Sequence, residues 1–182
     1  MAIKRMVIDG YGQVELNQVA FRRDGRIEAQ CALDAVDFAE MPAENGMILG
    51  VDNVTNTIKL PEEGMIYALN YTTEHMYDST ALKNFKLDIE DGFYPRLGYL
   101  AVGDKFTTNC IAYDTEEFAN EEAIETAYEG NTAIYGTTCE NGAILVTKTK
   151  PNSGLVLQAV KGTGAGSMPD GQFAIKFQVI AL

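Results

Sequence analysis

Histidine and cysteine are the residues here best suited to nucleophilic or metal chemistry, and both are scarce. His75 is the only histidine, so an imidazole base or metal ligand would have to be centred on it. A triad of Cys110, His75 and an acid is conceivable in space. The segment FTTNCIAY around Cys110, however, alternates as a strand does and lacks the sharp elbow or helix start of a nucleophile. We assign no catalytic residue and expect His75 to be a surface or interface histidine.

The cysteines do not form a recognisable framework. Cys31, Cys110 and Cys139 are odd in number and widely spaced, and no CxxC motif occurs. This pattern argues against a disulfide scaffold, a redox pair and a zinc site. We therefore predict three buried, free thiols.

Two groups of carboxylates could in principle bind a metal or perform acid-base chemistry. The first has helical spacing, which favours a solvated helix face. The second precedes Gly92 and resembles a calcium loop in composition, but it lacks the DxDxDG spacing and the distal glutamate. We assign no metal ligand to either group. The first group comprises Glu116, Glu117, Glu121, Glu122, Glu125 and Glu129, and the second comprises Asp88, Glu90 and Asp91.

The richest glycine stretch is KGTGAGS at 161–167. Free backbone amides in such a loop can cradle phosphate when a helix follows, but here Met168, Pro169 and a strand pattern follow instead. The spacing fits neither the dinucleotide nor the P-loop motif. We predict a flexible loop, which could order against a neighbour, and we assign no cofactor and no cofactor-binding residue.

The elements that would have to position these residues are mainly strands. Val19–Leu33 alternates apolar and polar residues on both sides of Asp24-Gly25, which predicts a hairpin. Regular strand spacing with turn residues between predicts an antiparallel barrel or sandwich. The other predicted strand regions are 46–60 with a turn at 52–56, 65–71, 94–102 and 105–113 joined by Gly103-Asp104, 132–138, 143–148, 155–160 and 173–182.

One short acidic helix is predicted near 114–129, with Asp114 as its N-cap and Gly130 as its stop. Residues 73–92 form a connection whose structure the pattern leaves open. The segments 44–49 and 140–145 share ENGxIL. We therefore expect either a single domain over 1–182 or two related β modules, at about 1–72 and 93–182.

Charge restricts the partners. The net charge is −12 and the pI is about 4.4, which disfavours nucleic acid and anionic membranes as direct partners. Residues 1–33 carry five bases against four acids, whereas the remainder carries nine against 22. The near-neutral N-terminal segment could dock on another acidic surface, or its charges could simply lie on solvated strand faces.

No targeting or membrane segment is predicted. The N-terminus MAIKRMVIDGYG lacks the apolar core of a signal peptide, and no stretch approaches the roughly 18 apolar residues of a membrane span. We expect synthesis in a cytoplasm-like compartment.

Four segments together resemble small virion-associated proteins of tailed bacteriophages that are encoded near the major capsid protein. They are RRDGRIEAQCALD, PAENGMILGVDN, YPRLGYLAVGDKFTTN and SMPDGQFAIKFQVI. The resemblance implies a non-enzymatic head decoration, cement or other capsid-associated protein, located in the virion and made in the host cytoplasm. It implies the major capsid protein or other virion proteins as partners, and it transfers no functional residue.

Such a protein would act by cohesion. Its edge strands or termini would extend the sheets of neighbours, a homo-oligomer would form, and multiplicity would strengthen weak contacts. We expect residues 1–23 and the apolar C-terminal strand Phe173–Leu182 to be the contact elements. The alternative is a binding module for carbohydrate or a small ligand, for example within a fibre, and an enzyme centred on His75 ranks third.

Overall fold

The computed structural model describes residues 2–20, 31–72, 79–130, 132–161 and 166–182. Its regular structure is mainly strand, which confirms the predicted β class, and one α-helix, α1, lies at Glu121–Glu129. Short 3₁₀ helices span Leu16–Gln18, Ser79–Asn84 and Ile89–Asp91. The strands are β1 (Ile3–Arg5), β2 (Ala32–Leu33), β3 (Ala43–Glu44), β4 (Ile48–Asp52), β5 (Thr57–Lys59), β6 (Ile66–Asn70), β7 (Lys86–Leu87), β8 (Leu97–Tyr99), β9 (Lys105–Thr108), β10 (Ile111–Asp114), β11 (Tyr135–Thr138), β12 (Ile144–Thr147), β13 (Val156–Ala159) and β14 (Ile175–Ala181).

The strands form three sheets. A seven-stranded sheet has the order β1-β10-β12-β11-β13-β14-β9, a five-stranded sheet has the order β2-β5-β4-β6-β8, and β3 pairs with β7. Most neighbours are antiparallel, but β10 with β12 and β2 with β5 are parallel. The sheets are therefore mixed and sandwich-like, and in the described part of the chain none closes into the barrel that was one of the predicted forms.

Two hydrophobic clusters hold the sheets together, and the seven-stranded and five-stranded sheets each contribute residues to both clusters. Successive side chains of a strand point to opposite faces, so Ile111 enters one cluster while Ala112 enters the other. In the five-stranded sheet Ile48 and Leu49 divide in the same way. Because both faces of these strands are buried, several of them are continuous apolar runs in the sequence.

The predicted turns at 52–56 and at Gly103-Asp104 both exist. The first joins two strands of one sheet, and the second joins strands of two different sheets. β4 and β5 form the predicted antiparallel hairpin around Asn56, which has a φ of 56°. β8 and β9 flank Gly103 yet belong to different sheets. The strand predicted over 105–113 is interrupted at Asn109-Cys110, where the Ile111 N–H donates to the Asn109 carbonyl at 2.9 Å. The alternation that placed Cys110 within a strand was therefore wrong locally.

The helix is shorter than predicted because Asp114 does not cap it. Asp114 ends β10, and its side chain accepts from the Glu116 N–H at 3.0 Å in a local turn. Asn120 is the N-cap and accepts from the Ala123 N–H at 2.9 Å.

The C-terminal strand does not need a partner to cover it. β14 lies between β13 and β9, and Ile175, Phe177 and Val179 are fully buried. The fold therefore already pairs this strand along both edges and buries every second side chain, while Leu182 remains 53% exposed. The expectation that Phe173–Leu182 is a contact element stays a prediction, but it no longer follows from an uncovered apolar strand.

The structure covers the predicted hairpin only in part and shows how far the ENGxIL echo extends. The Asp24-Gly25 turn of the predicted hairpin lies outside the described residues, and its far end appears as β2. The two ENG turns share a positive φ at Gly46 and Gly142, and the Ile48 N–H donates to the Gly142 carbonyl at 2.8 Å. After the turns they diverge, since β4 pairs with the next strand whereas β12 and β13 are separated by β11. The two sheets also do not follow the boundaries 1–72 and 93–182, and the domain organisation stays a prediction.

Candidate functional site

A partly buried ion pair joins the edge strand β1 to the small sheet of β3 and β7. Arg5 Nη1 donates to Glu44 Oε1 at 2.7 Å, and Arg5 Nη2 contacts Glu44 Oε2. The side chains are 28% and 7% exposed respectively. The Gly12 N–H also donates to Glu44 Oε2. One carboxylate therefore fixes three separate chain segments.

Glycine is required at the third of these segments. A Cβ on Gly12 would lie 2.7 Å from the Asn45 carbonyl oxygen and 3.0 Å from Glu44 Oε2. The distance to the Asn45 backbone oxygen is too short for a carbon atom and the distance to Glu44 Oε2 is tight, so a side chain at position 12 would displace the N-terminal segment from residues 44 and 45.

Cys110 lies beside this ion pair as a protonated thiol. Arg5 Nη2 is 3.5 Å from Cys110 Sγ. Burial raises the pKa of Cys110 to about 12, although the Arg5 charge acts in the opposite direction. Since the thiolate is the nucleophilic form, this thiol is chemically quiet at neutral pH. The three cysteines are buried and free, as predicted.

A network of buried hydrogen bonds continues from the ion pair into the interior. The Gln13 N–H donates to Asn109 Oδ1 at 2.7 Å, and Thr108 Oγ1 donates to the Gln13 carbonyl at 2.7 Å. The Asn70 amide donates to the Glu44 carbonyl at 2.9 Å. These bonds satisfy buried backbone groups, and the two bonds of Gln13 hold the N-terminal segment against residues 108 and 109.

The second acidic group forms a rigid turn rather than a calcium loop. The Asp88 N–H donates to Asp91 Oδ2 at 2.8 Å, and Lys86 Nζ pairs with Asp88 Oδ2 at 2.6 Å. Ile89 and Glu90 face an open groove of about 300 Å³ whose other wall is residues 38–42.

Directly after this turn the chain exposes two adjacent aromatic side chains. Phe93 is 72% exposed and Tyr94 is 59% exposed, between Gly92 and the buried Pro95. The next residue is fixed, because the Arg96 N–H donates to Thr72 Oγ1 at 3.0 Å. We call residues 92–95 the aromatic loop.

Two carboxylates of the first acidic group, Glu117 before the helix and Glu121 at its start, also serve the fold. Glu117 accepts from Thr147 Oγ1 at 3.0 Å and from the Lys148 N–H at 2.9 Å, and Glu121 accepts from the Val7 N–H at 2.7 Å. His75 and residues 162–165 of the glycine stretch lie outside the described residues. Within the described ranges no three His, Cys, Asp or Glu side chains group as a metal site would require.

Sequence reasoning missed both the ion pair and the aromatic loop. Arg5 and Glu44 are 39 residues apart, and no local pattern joins them. Tyr94 was assigned to a strand that begins only at Leu97. A usable signal was the dipeptide Phe93-Tyr94 between glycine and proline, which breaks strand alternation.

Comparison of the chain with models of protein families, with curated proteins and with solved structures gives no match. Over the described ranges, no helix combines the length and the apolar character needed to cross a bilayer. The arrangement of the residues themselves must therefore carry any functional proposal.

Proposed function

We propose that this chain is a non-enzymatic structural protein that binds and stabilises a phage capsid lattice, as a decoration, cement or other head-associated protein. The proposal places it in the virion, made in the host cytoplasm, with the major capsid protein or another virion protein as its partner and self-association as part of the assembly. The observation that carries it is the aromatic loop.

Exposed aromatic side chains on a fixed backbone are suited to protein docking. Aromatic residues are enriched among the side chains that dominate binding energy at interfaces. Phe93 and Tyr94 lose little backbone freedom on binding, because hydrogen bonds at Asp88 and Arg96 already hold both ends of this region. Two described groups that could do chemistry are engaged within the fold: Glu44 binds Arg5 and Gly12, and burial raises the pKa of the Cys110 thiol to about 12.

The test is sedimentation of the purified chain with phage particles that lack it. The wild type should pellet with particles, and the double variant Phe93→Ser with Tyr94→Ser should bind at least about tenfold more weakly, since it loses two anchor side chains. Val54→Ser is the matched control, because Val54 is 95% exposed on a different turn. Failure of the wild type to pellet with any particle preparation would reject the proposal.

Carbohydrate binding is the second candidate, and the groove lined by residues 38–42 and 88–90, which precede the aromatic loop in the chain, favours it. Carboxylates at Glu40 and Glu90 line this groove and could accept hydrogen bonds from sugar hydroxyls, while exposed aromatic rings could cover a sugar face. Binding of the isolated chain to defined glycans on an array, lost in Glu90→Gln, would support this candidate in place of the structural one.

A further inference from the structure

The outer edge of β1 carries backbone groups that face away from the sheet. β1 is the terminal strand of the seven-stranded sheet. The Met6 N–H donates to the Ile111 carbonyl, and the Thr115 N–H donates to the Ala2 carbonyl. In an antiparallel ladder only every second residue bonds to a given neighbour. Residues 2, 4 and 6 therefore bond to β10, and the N–H and C=O groups of Ile3 and Arg5 point outward.

The side chains beside this edge define what a partner strand should contain. Ile3 is 48% exposed and lines a shallow groove of about 410 Å³ with Thr138, Cys139, Glu140, Asn141 and Leu145. Lys4 lies on the opposite face, is exposed, and has no ion-pair partner among the described residues. An incoming strand therefore meets an apolar side chain on one face and an unpaired cation on the other.

The geometry points to β1 as the acceptor for one extended strand of a neighbouring protein, with a carboxylate opposite Lys4 and an apolar residue opposite Ile3. Strand addition satisfies the outward backbone groups and takes its specificity from alternating side chains. The proposal extends the structural role proposed above, because it identifies the strand contact and the chemistry of the partner.

A second copy of this chain is a poorer occupant of the edge. The antiparallel register that pairs all three residues of β1 with β1 of a second copy places Lys4 opposite Lys4, and like charges directly opposite each other are destabilising. An acidic strand of a different protein removes the repulsion between lysines and supplies the missing partner for Lys4.

The probe is a capped heptapeptide in which valine alternates with glutamate, titrated into the ¹⁵N-labelled chain. We expect the amide signals of Ile3 and Arg5 to shift and their hydrogen exchange to slow, whereas Lys4 and Met6, whose amides face β10, change little. A control peptide with lysine in place of glutamate should bind at least about fivefold more weakly. Shifts mapping to another surface, or no binding, would overturn the inference.

Two variants separate the edge contact from a general loss of structure. Ile3→Pro removes an outward N–H and leaves the bonds of residues 4 and 6 to β10 in place, so it should abolish peptide binding. Ile3→Ala keeps that N–H and should reduce binding only partly. If Ile3→Pro lowers the melting temperature, Lys4→Glu provides the independent test, because it should reverse the preference between the two peptides. An unchanged preference would refute the proposed complementarity.

Particle sedimentation distinguishes failure of this inference from failure of the proposed function. A wild type that pellets with particles while Ile3→Pro pellets equally well leaves the structural role standing and rejects β1 as the contact. Peptide binding at β1 without particle binding supports the strand acceptor and rejects the capsid role.

Discussion

Replacing Glu44 with alanine should be among the most damaging single changes in this chain. The substitution removes the acceptor for two Arg5 hydrogen bonds and for the Gly12 N–H. Removing one partner of a buried ion pair costs about 3–5 kcal/mol, because a charge is left in a poorly solvated place. Arg5 is 28% exposed, so water recovers part of this cost. We expect the free energy of unfolding to fall by about 3 kcal/mol.

Urea denaturation at pH 7, followed by circular dichroism, measures this loss. Lys83→Gln is the control, because it removes an ion pair with Asp9 whose carboxylate is 72% exposed. Exposed ion pairs contribute about 0–1 kcal/mol. The two variants should therefore differ by about 2 kcal/mol or more.

The double variant Arg5→Met with Glu44→Ala tests the physical cause. If the cost of Glu44→Ala comes from an uncompensated Arg5 charge, removal of that charge should restore part of the stability. Equal losses in the single and double variants, or a loss in Glu44→Ala no larger than in Lys83→Gln, would refute the reasoning.

Three further outcomes are expected. Burial raises the pKa of Asp170, but hydrogen bonds from two glutamines lower it by more, so its folded-state pKa lies below the usual value. The stabilisation from this carboxylate is therefore present above about pH 4 and is lost as pH falls through the depressed pKa. In urea titrations Asp170→Asn should be less stable than wild type at pH 7, and the difference should shrink as pH falls below about 4. Cys110 should resist maleimide at pH 8 in the native chain and react fully in urea, and equal rates would contradict its burial. Gly46→Ala should cost at least about 3 kcal/mol because its Cβ would overlap Thr108 Oγ1, whereas Gly64→Ala, also at positive φ but with open space around it, should cost about 1 kcal/mol in the same denaturation assay.

Strand positions were predictable wherever a local pattern determined them. β12, β13 and β14 lie inside the predicted regions 143–148, 155–160 and 173–182, because alternation and turn residues act over a few positions. Pairing was not predictable. The parallel contact of β10 with β12 joins segments separated by α1 and β11, and no local rule selects it.

The predictions of the helix start and of a continuous strand through Cys110 were both wrong. Asp114 and Asn120 are both suitable caps, and the choice between them depends on β10 continuing to Asp114 in order to pair with β1. At Asn109-Cys110 the Cys110 N–H donates to Thr108 Oγ1 at 3.0 Å, so a side chain replaces a ladder bond. Tertiary pairing with β1 decided the first point over local preference, and a side-chain hydrogen bond within the turn decided the second.

The Arg5–Glu44 pair connects stability to the proposed strand contact. β1 has only three residues, and an edge strand of that length frays unless something anchors it. Arg5 provides the anchor through its side chain, while its backbone groups point outward to a partner. Loss of Glu44 should therefore weaken binding of the valine-glutamate peptide even though Glu44 itself does not face the peptide. Exchange of the Lys4 and Met6 amides should quicken in Glu44→Ala if this anchoring is real, and unchanged exchange would separate the ion pair from the strand contact.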